Sequence, residues 1–337
     1  MIGAVRTSGE MRAATIRGKR SLEITRRPTP VPMGDQIRVR VYAAGLNRAD
    51  LWQLSGGYPA PPGVPPDVPG LEFAGVVDAL GPSATRWRLG DRVYGIVGGG
   101  AQAEYVLVPA SHCAPIPSSL EFASAGGVPE AFVTASDALF TQGGLRDGET
   151  VVIHAIGSGV GTSALQLAKS RGCTVFGTAR GATKLDRARA LGLDRGIALT
   201  ASSDPETLRE QVAEIKNQAD LVLDLVGGAY LGADVLVAGP RARIVVLSTI
   251  GGDICPLNLR EFMNKWLTLK GSVLRGRSVE AKAAAVAIFD QRVGPLLEAA
   301  AVRPIIERVF PWSQIQTAYE LLASDATFGK IVLAIDA

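Results

Sequence analysis

Cysteine and histidine are scarce in this chain. There are three cysteines, Cys113, Cys173 and Cys255, and two histidines, His112 and His154. The cysteines are odd in number and widely spaced, and no CxxC pair occurs. That argues against a disulfide framework and fits a reducing cytosol, so a cytoplasmic protein is expected. So few soft ligands leave no Cys/His set at metal-binding spacing, and no metal is expected. His112 and Cys113 lie in a proline-rich connector, SHCAPIP, with no further ligand nearby. His154 lies inside an apolar strand, where a packed or hydrogen-bonded core role fits better than ligation. Excess charge of one sign is lacking too. Thirty-five Lys and Arg against thirty-two Asp and Glu, dispersed along the chain, make no nucleic-acid footprint. G-x-S-x-G is absent, so there is no hydrolase elbow. The first ten residues, MIGAVRTSGE, lack an apolar core, and no signal peptide is expected. The uncharged run 150–168 is interrupted by Gly157, Gly159 and Gly161, so it reads as strand, turn and helix rather than a membrane span.

What is present divides into two textures. A length of 337 residues suggests about two domains. The first 125 or so residues alternate short strands (IRVRVYAAG, EFAGVVDAL, DRVYGIV, AEYVLVP) with Gly and Pro clusters, the pattern of a β-rich, barrel-like domain. Within it, residues 58–70 (YPAPPGVPPDVPG) hold six prolines, too stiff for a central strand and suited to a fixed wall or lid. From about Glu130, apolar strands alternate with helical segments, which means βαβ units and a parallel sheet. After about Lys270 come an Ala-rich helix and a last strand, KIVLAI; lacking a sheet of its own, this tail is expected to return to the first domain.

The glycine run closes a strand (151–156) and opens a helix from about Thr162. Backbone N–H groups at such a helix start suit a pyrophosphate. The spacing is G-x-G-x-G and departs from the strict G-x-G-x-x-G fingerprint. The next strand ends Gly177-Thr178-Ala179-Arg180-Gly181, followed by Lys184. An NAD site places an acid there for the ribose 2′-OH; two cations instead suit a 2′-phosphate, so NADPH is expected over NADH.

These motifs together resemble one family. Ala44-Gly45-Leu46-Asn47-Arg48-Ala49-Asp50, the Tyr58-Pro59 loop, Pro69-Gly70-Leu71-Glu72-Phe73-Ala74-Gly75, Leu89-Gly90-Asp91-Arg92-Val93, Val128-Pro129-Glu130, His154-Ala155 with Ser158-Gly159-Val160-Gly161, and Gly329-Lys330-Ile331-Val332 follow in order over nearly the whole chain. The chain is similar to the zinc-independent quinone oxidoreductases of the medium-chain dehydrogenase/reductase superfamily. The subgroup it resembles most contains the tumour-suppressor-inducible quinone reductase. Leu71 stands where zinc-dependent cousins carry His in Gly-His-Glu. The resemblance implies an α/β fold: a doubly wound Rossmann sheet at 127–270 plus a β-rich GroES-like catalytic domain from 1–126 and 271–337. It also implies roles. Asn47 and Tyr58 line the nicotinamide and substrate cleft, and Thr134 contacts the cofactor near the nicotinamide. Gly157, Ser158, Gly159, Val160 and Gly161 hold the pyrophosphate, and Arg180, Gly181 and Lys184 meet the 2′-phosphate. Val226 and Gly227 flank the adenosine, while Leu274 and Phe328 lie on the nicotinamide side. The chain departs from the family at Gly181, often Ser, and at Leu199, where a Tyr lies near the adenosine; each loses one contact.

The activity implied is hydride transfer from NADPH to a quinone or other α,β-unsaturated carbonyl, with Tyr58 and Asn47 as donors to the oxygen that gains charge. A 2-enone or enoyl-thioester reductase is the alternative, with Arg275 and Arg277 available as a basic rim for an acyl carrier. A nucleotide- or RNA-binding module with weak turnover is the non-enzyme alternative. Each residue also has a plainer role: Asn47 and Asp50 as caps of a helix starting near Arg48, Tyr58 as packing against prolines, and Glu72 as a backbone hydrogen-bonder. Residues 266–274 (WLTLKGSVL) read as the last parallel strand, whose apolar edge pairs with its symmetry mate in a homodimer.

Overall fold

The computed structural model describes residues 9–18, 21–200 and 204–335. Most of the segment read for a signal peptide, residues 1–8, lies outside them. The chain forms two compact units, one of 1–133, 275–300 and 304–337, the other of 134–274 with 301–303. The divisions fall near 133 and 274 rather than 126 and 270. The first lies inside a helix, so no change of texture marks it.

The first unit begins with an antiparallel hairpin, β1 (Glu10–Ile16) and β2 (Leu22–Pro28). β3 (Gln36–Gly45) follows and leads into α1 (Arg48–Leu54). Then come β4 (Glu72–Leu80), β5 (Arg92–Ile96), β6 (Tyr105–Pro109) and β7 (Cys113–Pro115), and the short α2 (Phe122–Ala125) and α3 (Pro129–Ser136). The connector SHCAPIP thus contains a strand: Cys113 and Ala114 are buried and pair with Gly95 and Tyr94 of β5. β3 and β4 pack so closely that a Cβ on Gly75 would lie 2.1 Å from Arg40 O, which is why the EFAGVV strand carries glycine there.

Among the described residues, the second unit holds a sheet of six parallel strands. β8 (Thr150–Ile153), β9 (Thr174–Arg180) and β10 (Arg195–Leu199) alternate with α4 (Gly159–Lys169) and α5 (Ala182–Arg189). α6 (Pro205–Gln211), β11 (Ala219–Asp224), α7 (Tyr230–Val237), β12 (Ala238–Val246), α8 (Leu259–Asn264) and β13 (Thr268–Gly271) follow. The strand order is β10-β9-β8-β11-β12-β13, the doubly wound Rossmann order, with its switch point between β8 and β11. Val152, Val222 and Ile244 are fully buried, as strands covered on both faces require. Two boundaries differ from expectation. β8 stops at Ile153 because the next residues turn, Ala155 at φ 50°, and the helix takes in Gly159. β13 starts only at Thr268 because Trp266 adopts φ 49°, which no strand accommodates.

The tail returns to the first unit as expected: α9 (Val279–Glu298), β14 (Ile306–Pro311), α10 (Ile315–Ala323) and β15 (Lys330–Ala334). β15 pairs antiparallel with β3, Val332 opposite Gly45, in a sheet ordered β14-β15-β3-β4-β5-β7 with β6 also on β3. Phe73, Trp312 and Tyr319 anchor its core. Among the described residues no helix is long and apolar enough to cross a membrane.

Candidate active site and nucleotide loops

In the first unit, the end of β3, the start of α1, β4, α3 and β15 meet in a buried polar knot. Asn47 caps α1; its N–H donates to Asp50 Oδ2 at 2.8 Å, while Asp50 Oδ1 accepts from Gly70 N at 3.1 Å. One buried carboxyl therefore ties the helix start to the end of the proline loop, and burial pushes it up to about 6. The plainer role, a cap, is what Asp50 plays. Lys330 donates to Glu72 Oε1 at 2.6 Å, Asn47 Oδ1 at 2.7 Å and Leu46 O at 2.6 Å. An ammonium has three hydrogens, and all three are used. Asn47 Nδ2 donates to Glu72 Oε1 at 2.9 Å, and Glu72 Oε2 accepts from Glu130 N at 2.9 Å. Glu72 thus bonds backbone, but that of a distant helix, and it has an ionic partner. Gly45 makes room: a Cβ there would come within 2.3 Å of Glu72 Oε1. Glu130, in the first turn of α3, is pushed up to about 8 by burial and by the nearby Glu72 carboxylate.

Tyr58 opens the proline loop and is held by Arg275. The guanidinium donates to Tyr58 O at 3.1 Å, Gly98 O at 2.8 Å and Gln53 Oε1 at 2.6 Å, and lies 4.6 Å from the Tyr58 ring centroid. Gln53 in turn donates to Pro66 O at 3.0 Å, and Asp67 takes a bidentate pair from Arg27 at 2.9 and 2.6 Å. The loop is a braced wall. Trp52 meets the Tyr58 ring edge-on at 6.2 Å. The Tyr58 hydroxyl is half-buried, and burial raises its pKa, with Arg275 opposing and Glu130 reinforcing. Arg275 is 6% exposed and so forms no basic rim. Lys330 and Glu130 carry no role in the motif pattern, and Arg275 takes a different one from the basic rim. The only hint was a lone charge beside apolar runs, as in Gly329-Lys330-Ile331-Val332.

In the second unit, the strands' carboxyl ends gather the loops expected to hold a nucleotide. After β8 the chain turns through Gly157, and Ser158 caps α4, its Oγ accepting from Gly161 N at 3.0 Å. A Cβ on Gly161 would lie 2.5 Å from Ala155 O, so the helix start is pressed onto the turn. Gly159 and Val160 complete the first turn, whose leading N–H groups lack intrahelical acceptors. Arg180 ends β9 exposed, and Lys184 lies in the first turn of α5. Gly181 caps α5 at φ 90°, ψ 146°, a conformation that favours glycine, which accounts for this departure from the family's Ser. Leu199, the other departure, is buried at the end of β10. After β11, Val226 and Gly227 lie on the far side of the switch point. Gly227 has φ 74°, and a Cβ on it would meet Ser248 O at 2.3 Å. Thr134 is half-buried in α3, and Leu274, beyond β13, is buried. The structure thus brings 157–161, 180–184 and 226–227 to one sheet edge. Tyr58 and Asn47 belong to the other unit, as does Phe328, which is buried with its N–H on Glu307 at 3.2 Å. His154 is a core residue, fully buried with Nδ1 2.8 Å from Thr178 Oγ1.

Comparison with known proteins agrees with this architecture. Residues 33–118 match the alcohol dehydrogenase GroES-like domain and residues 159–289 the zinc-binding dehydrogenase family, together more than half of the chain. A mouse protein, synaptic vesicle membrane protein VAT-1 homolog-like, is 26% identical over 97% of this chain and 82% of its own length. Mouse quinone oxidoreductase is 27% identical over 91% of each. The crystal structure of an NAD-dependent alcohol dehydrogenase superposes with a TM-score of 0.79 at 30% identity, over 97% of this chain and 100% of that one. Members of this superfamily bind NAD or NADP. The chain belongs to the medium-chain dehydrogenase/reductase superfamily, as an oxidoreductase of its quinone oxidoreductase-like subgroup.

Proposed function

We propose that the chain is an NADPH-dependent, zinc-independent reductase of quinones or other α,β-unsaturated carbonyls. The observation that carries the cofactor choice is the end of β9, where Arg180 and Lys184 flank Gly181 and no acid awaits a ribose 2′-OH. The glycine-pressed start of α4 and the Val226-Gly227 loop fit the rest of a dinucleotide. When bound, the reduced nicotinamide supplies the hydride. The donor set does not fit zinc. Leu71 is apolar, Cys113 is fully buried in a strand, His112 Nε2 is 2.9 Å from Val279 O, and no three His, Cys, Asp or Glu among the described residues group to hold a metal.

As the double bond is reduced, negative charge grows on the substrate oxygen, and that oxygen needs a donor. Tyr58 supplies it. With its pKa raised, the phenol stays protonated at neutral pH, so it serves as an acid and not as a base. Asn47 has one of its two amide hydrogens on Glu72, which leaves the second for a ligand. Enoyl thioesters share this electronic demand, so an enone and enoyl-thioester screen belongs beside the quinones.

Two further readings accompany this one. Leu269, on the edge strand β13, is 39% exposed, and Trp266 and Val273, which flank that strand in the chain, are 66% and 57% exposed. Apolar surface on an open edge suits a second copy paired through β13. A monomer by light scattering at micromolar concentration removes that proposal. The cysteines, all unpaired, support a cytoplasmic location.

The function is tested by titrating the protein with NADPH and NADH through its intrinsic fluorescence, and repeating this with Arg180→Ala. NADPH binds more tightly, and the variant loses about 10- to 150-fold, the worth of a charge-assisted bond of roughly 1.5–3 kcal/mol. Equal binding of both nucleotides refutes the NADPH preference. Binding of neither moves the chain to the non-enzyme class.

A further inference from the structure

Beneath the nucleotide loops, three titratable side chains are packed with no exposure to solvent: His154, Asp224 and Asp234. They come from three elements. His154 follows β8 and begins the turn into the glycine run, Asp224 ends β11, and Asp234 lies mid-way along α7. Asp224 Oδ1 accepts from both Val226 N and Gly227 N at 2.8 Å, so this carboxyl sets the shape of the loop on one side of the switch point. His154 sets the other side, with Nδ1 on Thr178 Oγ1 at 2.8 Å and its backbone N–H on Leu223 O at 3.0 Å. Its Nε2 comes within 2.8 Å of Asp234 Oδ1 but out of line for a hydrogen bond. Asp224 Oδ2 and both oxygens of Asp234 have no N–H or hydroxyl donor in line among the described residues; the two carboxyls meet each other.

Two neighbouring carboxylates with no exposed surface repel each other strongly when both are ionised, and a proton shared between them removes the conflict. Burial pushes both acids upward, Asp234 to about 8; the Asp234 charge pushes Asp224 up further, while a hydrogen bond with Asp224 opposes the rise at Asp234, and burial lowers His154 and favours its neutral imidazole. The other groups facing the cluster do not compete for that proton. Tyr230 meets the His154 ring edge-on at 5.0 Å and, like the Cys255 thiol, has its pKa raised by burial. The Arg180 charge opposes that rise at Tyr230.

We propose that Asp224 is a positioning residue for the nucleotide, and that one proton held between Asp224 and Asp234 beside neutral His154 is required for the loops to bind it. Asp234 carries the proton and Asp224 the charge that the two loop N–H groups stabilise. Loss of the proton to solvent leaves a second buried negative charge under loops that receive a pyrophosphate. It repels Asp224 and the bound anion alike. The inference rests on the proposed dinucleotide function.

The test has two arms, both on the full chain. In the first, the NADPH Kd is measured by fluorescence between pH 7 and 9, above the range in which a 2′-phosphate titrates (pKa about 6). The parent protein weakens about fivefold or more across that window, a typical coupling between sites. Asp234→Asn, which cannot ionise, is flat. Asp224→Ala, which loses the loop acceptor, binds about tenfold more weakly throughout. In the second arm, the nucleotide-free proteins are melted from pH 5 to 9. An acid whose folded pKa lies above its unfolded one gives stability below the unfolded value that is lost as pH rises through the folded one. The parent therefore loses stability toward pH 9, and Asp234→Asn loses less. If the Asn variant does not fold, Asp234→Leu takes its place, and infrared detection of a protonated carboxyl in the parent at pH 7 reads the proton directly. A parent Kd flat with pH, the same slope in Asp234→Asn, or no protonated carboxyl overturns the inference. If no nucleotide binds at all, the functional reading fails while the melting and infrared arms still decide the cluster.

Discussion

Lys330→Met removes the ammonium from the knot and leaves its partners in place. Glu72 is then a carboxylate with a fully buried side chain and no cation, since Lys330 is 5% exposed and is its only ion-pair partner among the described residues. Asn47 Oδ1 loses its donor, and Leu46 O loses one of its contacts. Removing one member of a buried ion pair costs about 3–5 kcal/mol, mostly because the charge left behind stays desolvated. Little of this is screened, because neither side chain reaches water. For a unit of this size about 2–4 °C of melting temperature goes with each kcal/mol, so the loss is roughly 6–20 °C. Calorimetry on the parent, Lys330→Met, Glu72→Leu and the double variant forms a cycle. The double variant, with no charge left unpaired, melts well above Lys330→Met. A Lys330→Met cost below about 1 kcal/mol, or a coupling near zero in the cycle, refutes the argument that the pair is held by mutual need.

Four other outcomes follow from the same geometry. Tyr58→Phe lowers kcat about a hundredfold or more with an unchanged NADPH Kd; full kcat shows that the phenol is not the obligatory acid. Arg275→Lys keeps the charge but loses the fork that grips Tyr58 O, Gly98 O and Gln53, so kcat falls about tenfold for one lost charged bond, and steady-state kinetics read it. Gly227→Ala meets φ 74° and a carbonyl 2.3 Å from the new Cβ; it costs more than the roughly 1–2 kcal/mol of the backbone strain alone and abolishes NADPH binding, and an unchanged melt contradicts this. Glu130→Gln melts above the parent at pH 9 and closer to it at pH 5. A folded pKa of about 8 makes the parent lose stability as pH rises toward that value, and the amide does not ionise.

The parts legible in the sequence are those written by local rules. The parallel sheet follows from strands apolar on both faces alternating with helical segments, and the return of the tail follows from a final strand with no sheet near it. The glycine-pressed start of α4 follows from Gly157 to Gly161. Strand limits were less legible, because Ala155 and Trp266 take left-handed backbone conformations that nothing in their side chains announces. The polar centre of the first unit was legible only in part. Asn47 and Glu72 stand out as motif residues, but their partner Lys330 is 283 positions from Asn47, and the clamp on Tyr58 joins Arg275 to a residue 217 positions away. Pattern shows which side chains are unusual; only the fold shows which of them neutralise one another.

The same distinction separates the two acidic clusters. Glu72 and Asp224 are both fully buried carboxyls at strand ends that accept backbone N–H groups from a neighbouring segment. Glu72 meets a lysine, so its charge is matched and its role is to hold the site in one shape. Asp224 meets a second acid and a neutral imidazole, so its charge is matched only while a proton stays in the cluster. The first arrangement pairs opposite charges within 2.6 Å and needs no shared proton to balance them. The second stays stable only by retaining a proton that solvent takes away as pH rises. Sensitivity to mild alkali therefore has two seats: the loops over Asp224, and Glu130 beside the Lys330 knot, whose buried carboxyl is also pushed up to about 8.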